Sequence, residues 1–217
     1  GYLNIAPMFT GVFDNSNKET KDPKMQNVIS GEIGYSFHSR KFSANVNSYY
    51  TLWKNKPFTY FPTIRNSSGE DCYYTVEGLN ALHKGIEIDF ISKHINKLDL
   101  EGLASIGDWR VNSSGNVLLY DMTTLALDET IVFSAKNIHV GDAAQIQVAG
   151  SIRYEPVKHL YMKAKYVYFM KNYANYDLRN LQDDNKDRES WMLPSYGLLD
   201  MHIGYGIKYK KFKFDLT

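Results

Sequence analysis

LDMHIGYGIKY, at residues 199–209, carries an apolar or aromatic residue at every odd position and a polar residue or glycine at every even position. IQVAGSIRY at 146–154 and ISGEIGYSF at 29–37 alternate in the same way. Successive side chains of a β-strand point to opposite faces of its sheet. Because no charge falls in the apolar series, the pattern predicts a long antiparallel sheet with one apolar face and one polar face.

Nine strands of this kind are predicted, and several are longer than the ~5–6 residues of an ordinary strand. A tilted strand that crosses a bilayer needs ~9–11 residues, which these strands provide. The predicted strands cover residues 2–9, 28–37, 42–56, 82–92, 98–110, 144–154, 160–171, 197–209 and 212–217.

The connections between these strands alternate between short and long. Short turns are predicted at 38–41, 93–97, 155–159 and 210–211, and long polar segments at 10–27, 57–80, 111–143 and 172–195. In an up-and-down meander this alternation gathers the short turns at one end and the long segments at the other. Aromatic residues of the apolar series cluster near both ends, as in the girdles of outer-membrane barrels. The sequence therefore predicts an all-β, antiparallel, up-and-down transmembrane β-barrel.

Composition excludes several other classes of protein. The 217 residues carry a net charge of +1, from 25 basic and 24 acidic side chains, so nothing favours nucleic acid as a partner. No apolar run approaches the ~18 residues of a spanning helix. The single cysteine, Cys72, excludes an internal disulfide framework, although a cysteine elsewhere in a longer polypeptide is a conceivable partner.

Five stretches resemble the barrel of TonB-dependent outer-membrane receptors. They are GLNALHKGIEIDF at 78–90, ASIGDWR at 104–110, IHVGDAAQ at 138–145, LPSYGLLD at 193–200 and FKFDLT at 212–217. The resemblance runs in order through nearly the whole chain. It implies a barrel of about 22 strands in the outer membrane of a Gram-negative bacterium. It also implies a plug domain inside the barrel and active nutrient import that is powered through TonB.

Nine strands cannot close such a barrel, and an odd number departs from the even counts of bacterial single-chain barrels. We therefore expect residues 1–217 to be part of one C-terminal barrel domain, with the N-terminal plug and at least the last strand outside this sequence. The expected partners are outer-membrane lipid, the plug, the TonB complex, a small or oligomeric nutrient and, as a further candidate, a surface lipoprotein. A ferric siderophore, cobalamin, a glycan or a peptide would all fit as the nutrient.

Charged residues of the polar series are expected to face the plug, because barrel interiors are polar and can hold an internal domain through paired charges. The alternative is a solvated wall without a specific partner. These candidates are Glu32, Glu87, Asp89, Glu101, Arg153, Lys163 and Lys165.

Aromatic and arginine residues in or beside the long segments are candidates for substrate contact, because these residue types dominate binding hot spots. Packing between the segments is the competing interpretation. The candidates are Tyr60, Arg65, Trp109, Arg110 and Trp191.

No catalytic residue, cofactor or metal site is predicted. The sequence contains no recognisable nucleophile–base set, zinc motif or phosphate loop. The DDNKD stretch at 183–187 has part of the spacing of a calcium loop but lacks its glycine and its final glutamate. Two rival functions remain: a small self-contained porin or adhesin-like barrel, and a soluble extracellular β-sheet binding protein.

Overall fold

The computed structural model describes residues 1–6, 24–56, 64–141, 143–175, 189–209 and 212–216. Within these ranges the regular elements are all strands. Among the described residues, no helix is long and apolar enough to cross a membrane. In chain order the strands are β1 (Tyr2–Ile5), β2 (Gln26–His38), β3 (Phe42–Lys54), β4 (Ile64–Arg65), β5 (Asp71–Glu77), β6 (Ala81–Ile95), β7 (Leu98–Val111), β8 (Ser114–Asp121), β9 (Leu127–Ser134), β10 (Ile146–Val157), β11 (Leu160–Met170), β12 (Asn172–Tyr173), β13 (Met192–Leu193), β14 (Tyr196–Tyr209) and β15 (Phe212–Leu216).

Nine of these strands form the main sheet, in the order β1-β2-β3-β6-β7-β10-β11-β14-β15. Every neighbouring pair is antiparallel. The predicted number of strands and their up-and-down order are therefore confirmed. Within the described residues, β1 and β15 each have a partner on one side only. The main sheet, which we call the wall, is therefore a partly closed barrel.

The strand register confirms that the main sheet has two faces. On the apolar face, Tyr35, Val46, Ile88, Ala104 and Val148 form one row across five strands. Large apolar side chains on this face are unusually exposed: the exposed fraction is 78% for Ile33 and 75% for Met201. Exposed apolar surface of this extent marks an interaction or membrane surface rather than the outside of an ordinary soluble sheet.

The expectation that no charge falls in the apolar series is wrong, because charged residues enter it near one end of the sheet. Lys84 and Asp108 are direct partners and follow Ile86 and Ile106 on the apolar face, with Arg110 one step further. They lie at the end of the sheet where the long connections emerge, which we call the external end. Apolar surface gives way to charge there, as expected where a wall leaves an apolar environment.

The long connections contain a second sheet, which the sequence did not predict. Strands β4, β5, β8 and β9 pair in the order β4-β5-β8-β9, and we call this four-stranded unit the external sheet. It prolongs the β6–β7 hairpin beyond a bend at Gly78, whose φ of 77° suits glycine. A further short pair, β12 and β13, lies in the segment 172–195.

Among the described residues, the strands of the external sheet contain more buried apolar side chains than the strands of the wall do. The core of the external sheet includes Cys72, Val117, Leu119, Ile131 and Phe133. This core continues onto the external end of the wall through a further group of buried residues, which are Leu79, Ala81, Val111, Ala135, Ile138 and Val140. The main sheet therefore carries a small folded unit on its external end.

The loop between β8 and β9 is organised by Asp121. Its carboxylate Oδ1 accepts hydrogen bonds from Thr124 N at 2.6 Å, Thr124 Oγ1 at 2.8 Å and Thr123 N at 2.9 Å. The hydrogen bond from the Thr124 backbone amide is the main cause that lowers the pKa of Asp121, followed by those from the Thr124 hydroxyl and the Thr123 amide. All three favour the charged form of the carboxyl group.

This arrangement predicts an acid-sensitive external sheet. A folded-state pKa below the ordinary value of about 3.9 means that Asp121 stabilises the fold above that pH, and that this contribution is lost as pH falls through the lower, folded-state pKa. Protease resistance of the β8–β9 loop, followed as the pH is lowered through that range, is expected to decrease. Asp121→Asn should weaken the loop at neutral pH and flatten the acid dependence. An unchanged acid profile in this variant would contradict the prediction.

Candidate functional site

The polar face of the wall brings together the seven charged residues that the sequence assigned to it. Arg153 pairs with Asp99 and Lys163 in the register, and Glu101 pairs with Ser151. Ser151 Oγ donates to Glu101 Oε2 at 2.8 Å, and Lys163 Nζ lies 3.2 Å from the same oxygen. The seven predicted residues that lie on this face are Glu32, Glu87, Asp89, Glu101, Arg153, Lys163 and Lys165. Their contact with a plug stays a prediction.

Charge is unevenly distributed along this face. The polar face is acidic along the middle of β2 and β6, where Glu32, Glu87 and Asp89 lie. Asn45 Nδ2 donates to Asp89 Oδ1 at 2.9 Å. On β10 and β11 the predicted plug-facing residues are instead cationic, namely Arg153, Lys163 and Lys165. The Arg153 guanidinium lies 4.5 Å from the centre of the Tyr161 ring. An internal partner of this wall would therefore meet carboxylates at β2 and β6, and a mixed surface at β10 and β11, where Asp99 lies opposite Arg153 and Asp200 lies opposite Lys165 in the register.

Aromatic side chains occupy the external end of the polar face. The Trp109 ring stacks on His83 with centroids 5.4 Å apart, and Trp53 approaches His83 edge-on at 6.2 Å. Trp109 Nε1 donates to the Tyr49 hydroxyl at 2.8 Å. A Cβ atom on Gly85 would lie 2.5 Å from that hydroxyl oxygen. The glycine therefore leaves room for the Tyr49 side chain to extend over β6 and reach Trp109 on β7.

Gln145 fixes the backbone of Trp109 where β10 has not yet begun. Its side-chain Oε1 accepts from Trp109 N at 3.0 Å, and its Nε2 donates to Trp109 O at 2.9 Å. The side-chain amide thereby makes the two hydrogen bonds to the Trp109 backbone that a neighbouring strand would otherwise make. Gln145 is almost completely buried. Alternation gave no signal for this role, because a glutamine at the start of a strand is ordinary.

A cluster on the opposite face joins two long connections, and we call it the external clasp. His139 Nδ1 lies 2.6 Å from Glu189 Oε2, and His139 N donates to Glu189 Oε1 at 2.9 Å. Ser190 Oγ donates to the His139 carbonyl at 3.1 Å, and the Tyr173 ring stacks on the imidazole at 4.1 Å. Asp108 Oδ1 lies 3.7 Å from His139 Nε2, which ties the clasp to β7. Sequence reasoning missed it, because His139 and Glu189 are fifty residues apart.

Trp109 and Arg110, two of the proposed substrate contacts, lie on opposite faces of β7. Trp109 belongs to the polar face, whereas Arg110 belongs to the apolar face, where its Nε lies 2.7 Å from Asp108 Oδ1 and its Nη1 donates to Asn137 O at 2.9 Å. Since adjacent strand residues point in opposite directions, a single ligand on the wall cannot meet both side chains.

The remaining proposed substrate contacts are not gathered at Trp109. Arg65 lies on the external sheet, where its Nε is 3.2 Å from Asp71 Oδ1. Trp191 lies beside β13 with 69% of its surface exposed. Tyr60 and the DDNKD stretch at 183–187 fall outside the described residues. Ligand contact by these five residues stays a prediction. In the part of the chain that the structure describes, no group of three or more His, Cys, Asp or Glu could hold a metal ion.

Cys72 is a free thiol in the core of the external sheet. Burial raises the pKa of this thiol, and the nearby carboxylate of Asp128, whose Oδ2 lies 3.8 Å from Sγ, raises it further. A buried, protonated thiol is a poor nucleophile, because the thiolate is the reactive form. Pairing with a cysteine elsewhere would also require the external sheet to open.

We therefore expect Cys72 to resist alkylation in the folded protein. Iodoacetamide at pH 8 should label it slowly under native conditions and rapidly in denaturant, as measured by mass spectrometry. Asp128→Asn should leave the labelling slow, because burial is the larger cause. Rapid labelling of the native protein would contradict the buried placement.

The chain was compared with known proteins. The family model described as TonB dependent receptor-like, beta-barrel matches residues 4–217. The comparisons with curated proteins and with solved structures gave no match. The family match covers nearly the whole chain and agrees with the antiparallel, two-faced sheet of long strands. The chain belongs to the family of TonB-dependent receptor β-barrels.

Proposed function

We propose that residues 1–217 form part of the C-terminal barrel of an outer-membrane receptor that binds a scarce nutrient and imports it actively. The observation that carries this proposal is the family match over residues 4–217. The two-faced wall supports it, because a strand that alternates between lipid and a polar interior is the signature of membrane barrels. The plug domain and the segment that contacts TonB would lie elsewhere in the polypeptide.

In this proposal, each face of the wall and the external sheet has its own role. The apolar face would contact lipid, and the polar face would surround the plug. The external sheet and the aromatic group around Trp109 would lie where an incoming nutrient first meets the receptor. Catalysis has no part in this proposal, and the wall would act as a rigid frame whose backbone groups are paired within the sheet.

The test is the intact mass of the native polypeptide, purified in detergent from the outer-membrane fraction of its own cells. A mass several times the 25.0 kDa of this chain is expected, because a plug and further strands are required. A polypeptide of about 25 kDa in the membrane fraction would overturn the transport proposal in favour of a small passive barrel. Recovery in solution without detergent would instead favour a soluble binding protein.

A further inference from the structure

An open groove of about 660 Å³ crosses β2, β3, β6 and β7 near the external end of the wall. Two register rows border it. One row is Gly31, Tyr50, Lys84 and Asp108, and the next is Ile33, Ser48, Ile86 and Ile106. All eight residues belong to the apolar face of the sheet.

The groove opens on the apolar face and not on the polar one. Its other bordering residues, Glu32, Tyr49, Gly85 and Gly107, belong to the single polar-face row between those two rows. A groove on the polar face would be walled by side chains of the flanking polar-face rows, which include Glu87 and Trp109. Neither of these borders the groove, so the intermediate row supplies only the backbone floor.

The shape of the groove suits a narrow apolar chain. Gly31 has no side chain, with no atom within 4 Å of the position where its Cβ would be, and Ser48 is short. Isoleucines line the row that lies further from the external end. Four strands at ~4.8 Å spacing make the groove ~15 Å long. Because barrel strands tilt by about 35–45°, a groove across them runs obliquely through the bilayer.

Positive charge lies at the external side of the groove. Lys84 Nζ is 3.2 Å from Asp108 Oδ2, and Arg110 Nε is 2.7 Å from Asp108 Oδ1, so two cations share one carboxylate. The half-exposed Lys84 ammonium has three N–H donors and needs only one for this ion pair. Lys54 is a third cation on the apolar face, nearer the external end of β3. This arrangement favours an anionic group directly above an apolar channel.

We propose that the groove binds one acyl chain of a phosphate-bearing membrane lipid, with the phosphate held at Lys84. The inference rests on the proposed function, since only a wall embedded in a membrane presents this face to lipid. Lysine suits phosphate as a compact point charge, and Tyr50 borders the same end of the groove with a ring that is amphipathic.

The test uses the full receptor, delipidated in detergent and analysed by native mass spectrometry after addition of phosphatidic acid. Gly31→Leu is expected to fill the groove and to reduce the lipid-bound fraction at least tenfold, without altering any charge. Gly150→Leu is the matched control, because Gly150 lies on the same face outside the groove and its Cβ would have only Glu101 O nearby, at 4.0 Å. Equal binding by both variants and the unmodified receptor would overturn the proposal.

A second comparison isolates the phosphate. Lys84→Gln should weaken phosphatidic acid binding about fivefold, the contribution of one lysine near a membrane surface. It should leave the weaker binding of diacylglycerol unchanged. Displacement of the lipid by millimolar inorganic phosphate would overturn the lipid assignment, since it would indicate a site for free phosphate. A receptor absent from the membrane fraction would contradict the proposed function, whereas a membrane-embedded receptor whose Gly31→Leu variant binds lipid normally would contradict this inference alone.

Discussion

Replacing Phe133 by alanine is expected to unfold the external sheet while the wall stays intact. The Phe133 ring is fully buried and lies across Gly115, where a Cβ would approach the ring to 2.9 Å. Removing a buried phenylalanine typically costs about 3–5 kcal/mol, because the transfer free energy is lost and a cavity is left behind. A four-stranded unit with so small a core cannot absorb this loss, so it should open locally.

Limited proteolysis of the full receptor in detergent measures this effect. Cleavage in residues 64–134 should accelerate in Phe133→Ala, while the heat-modifiable mobility of the barrel on gels is unchanged. Val132→Ala is the matched control, because Val132 is the preceding residue on the opposite face and 62% of its surface is exposed. Cleavage as fast in Val132→Ala as in Phe133→Ala would show that the core lies elsewhere.

Sequence reasoning predicted the wall because its strands have a strict period and end in tight turns. A shift of one residue in register would move every apolar side chain to the other face, so alternation fixes both face and pairing. The hairpin between β10 and β11, for example, turns at Lys158 and His159, within the predicted turn at 155–159. Its register also shifts between Tyr154 and Val157, a local irregularity that periodicity does not predict.

The external sheet escaped prediction for a physical reason. Its strands contain doublets such as Tyr73–Tyr74 and Leu118–Leu119, which place apolar side chains on both faces and blur the period of two. Val117 and Leu119 enter the core, while Leu118 and Tyr120 lie on the other face. Segments of this kind, bounded by glycine, asparagine and serine, have the composition of loops.

The external clasp and the Gln145 contact depend on distant partners, so local pattern does not reveal them. His139 meets Glu189 only because residues 137–140 pair with the end of β7, through Val140 N donating to Trp109 O at 2.9 Å. The charges at the external end of the apolar face were missed for a different reason. Lys84 and Asp108 lie two residues from Ile86 and Ile106, so alternation already places them on the apolar face, but their charge fits the polar composition expected near loops.

The opposite faces of β7 provide the sharpest test of the membrane assignment, through the neighbours Ala104 and Ser105. Ala104 lies on the apolar face near the middle of β7, in the row with Ile88 and Val148. An arginine at the bilayer midplane of a barrel costs about 2–4 kcal/mol. Ala104→Arg should therefore lower the free energy of unfolding of the full receptor in lipid vesicles by that amount, as measured by urea titration.

Ser105→Arg, one residue away, places the same charge on the polar face beside Glu87, whose Oε1 lies 3.5 Å from Ser105 Oγ. There the guanidinium would meet a carboxylate in a polar interior, so the unfolding free energy should change by less than about 1 kcal/mol. Both variants add the same side chain to the same strand, and thus differ only in the face that receives it. Equal losses would mean that lipid does not contact the Ala104 face. A loss confined to Ser105→Arg would reverse the assignment of the two faces and, with it, the positions proposed for the plug and for the lipid groove.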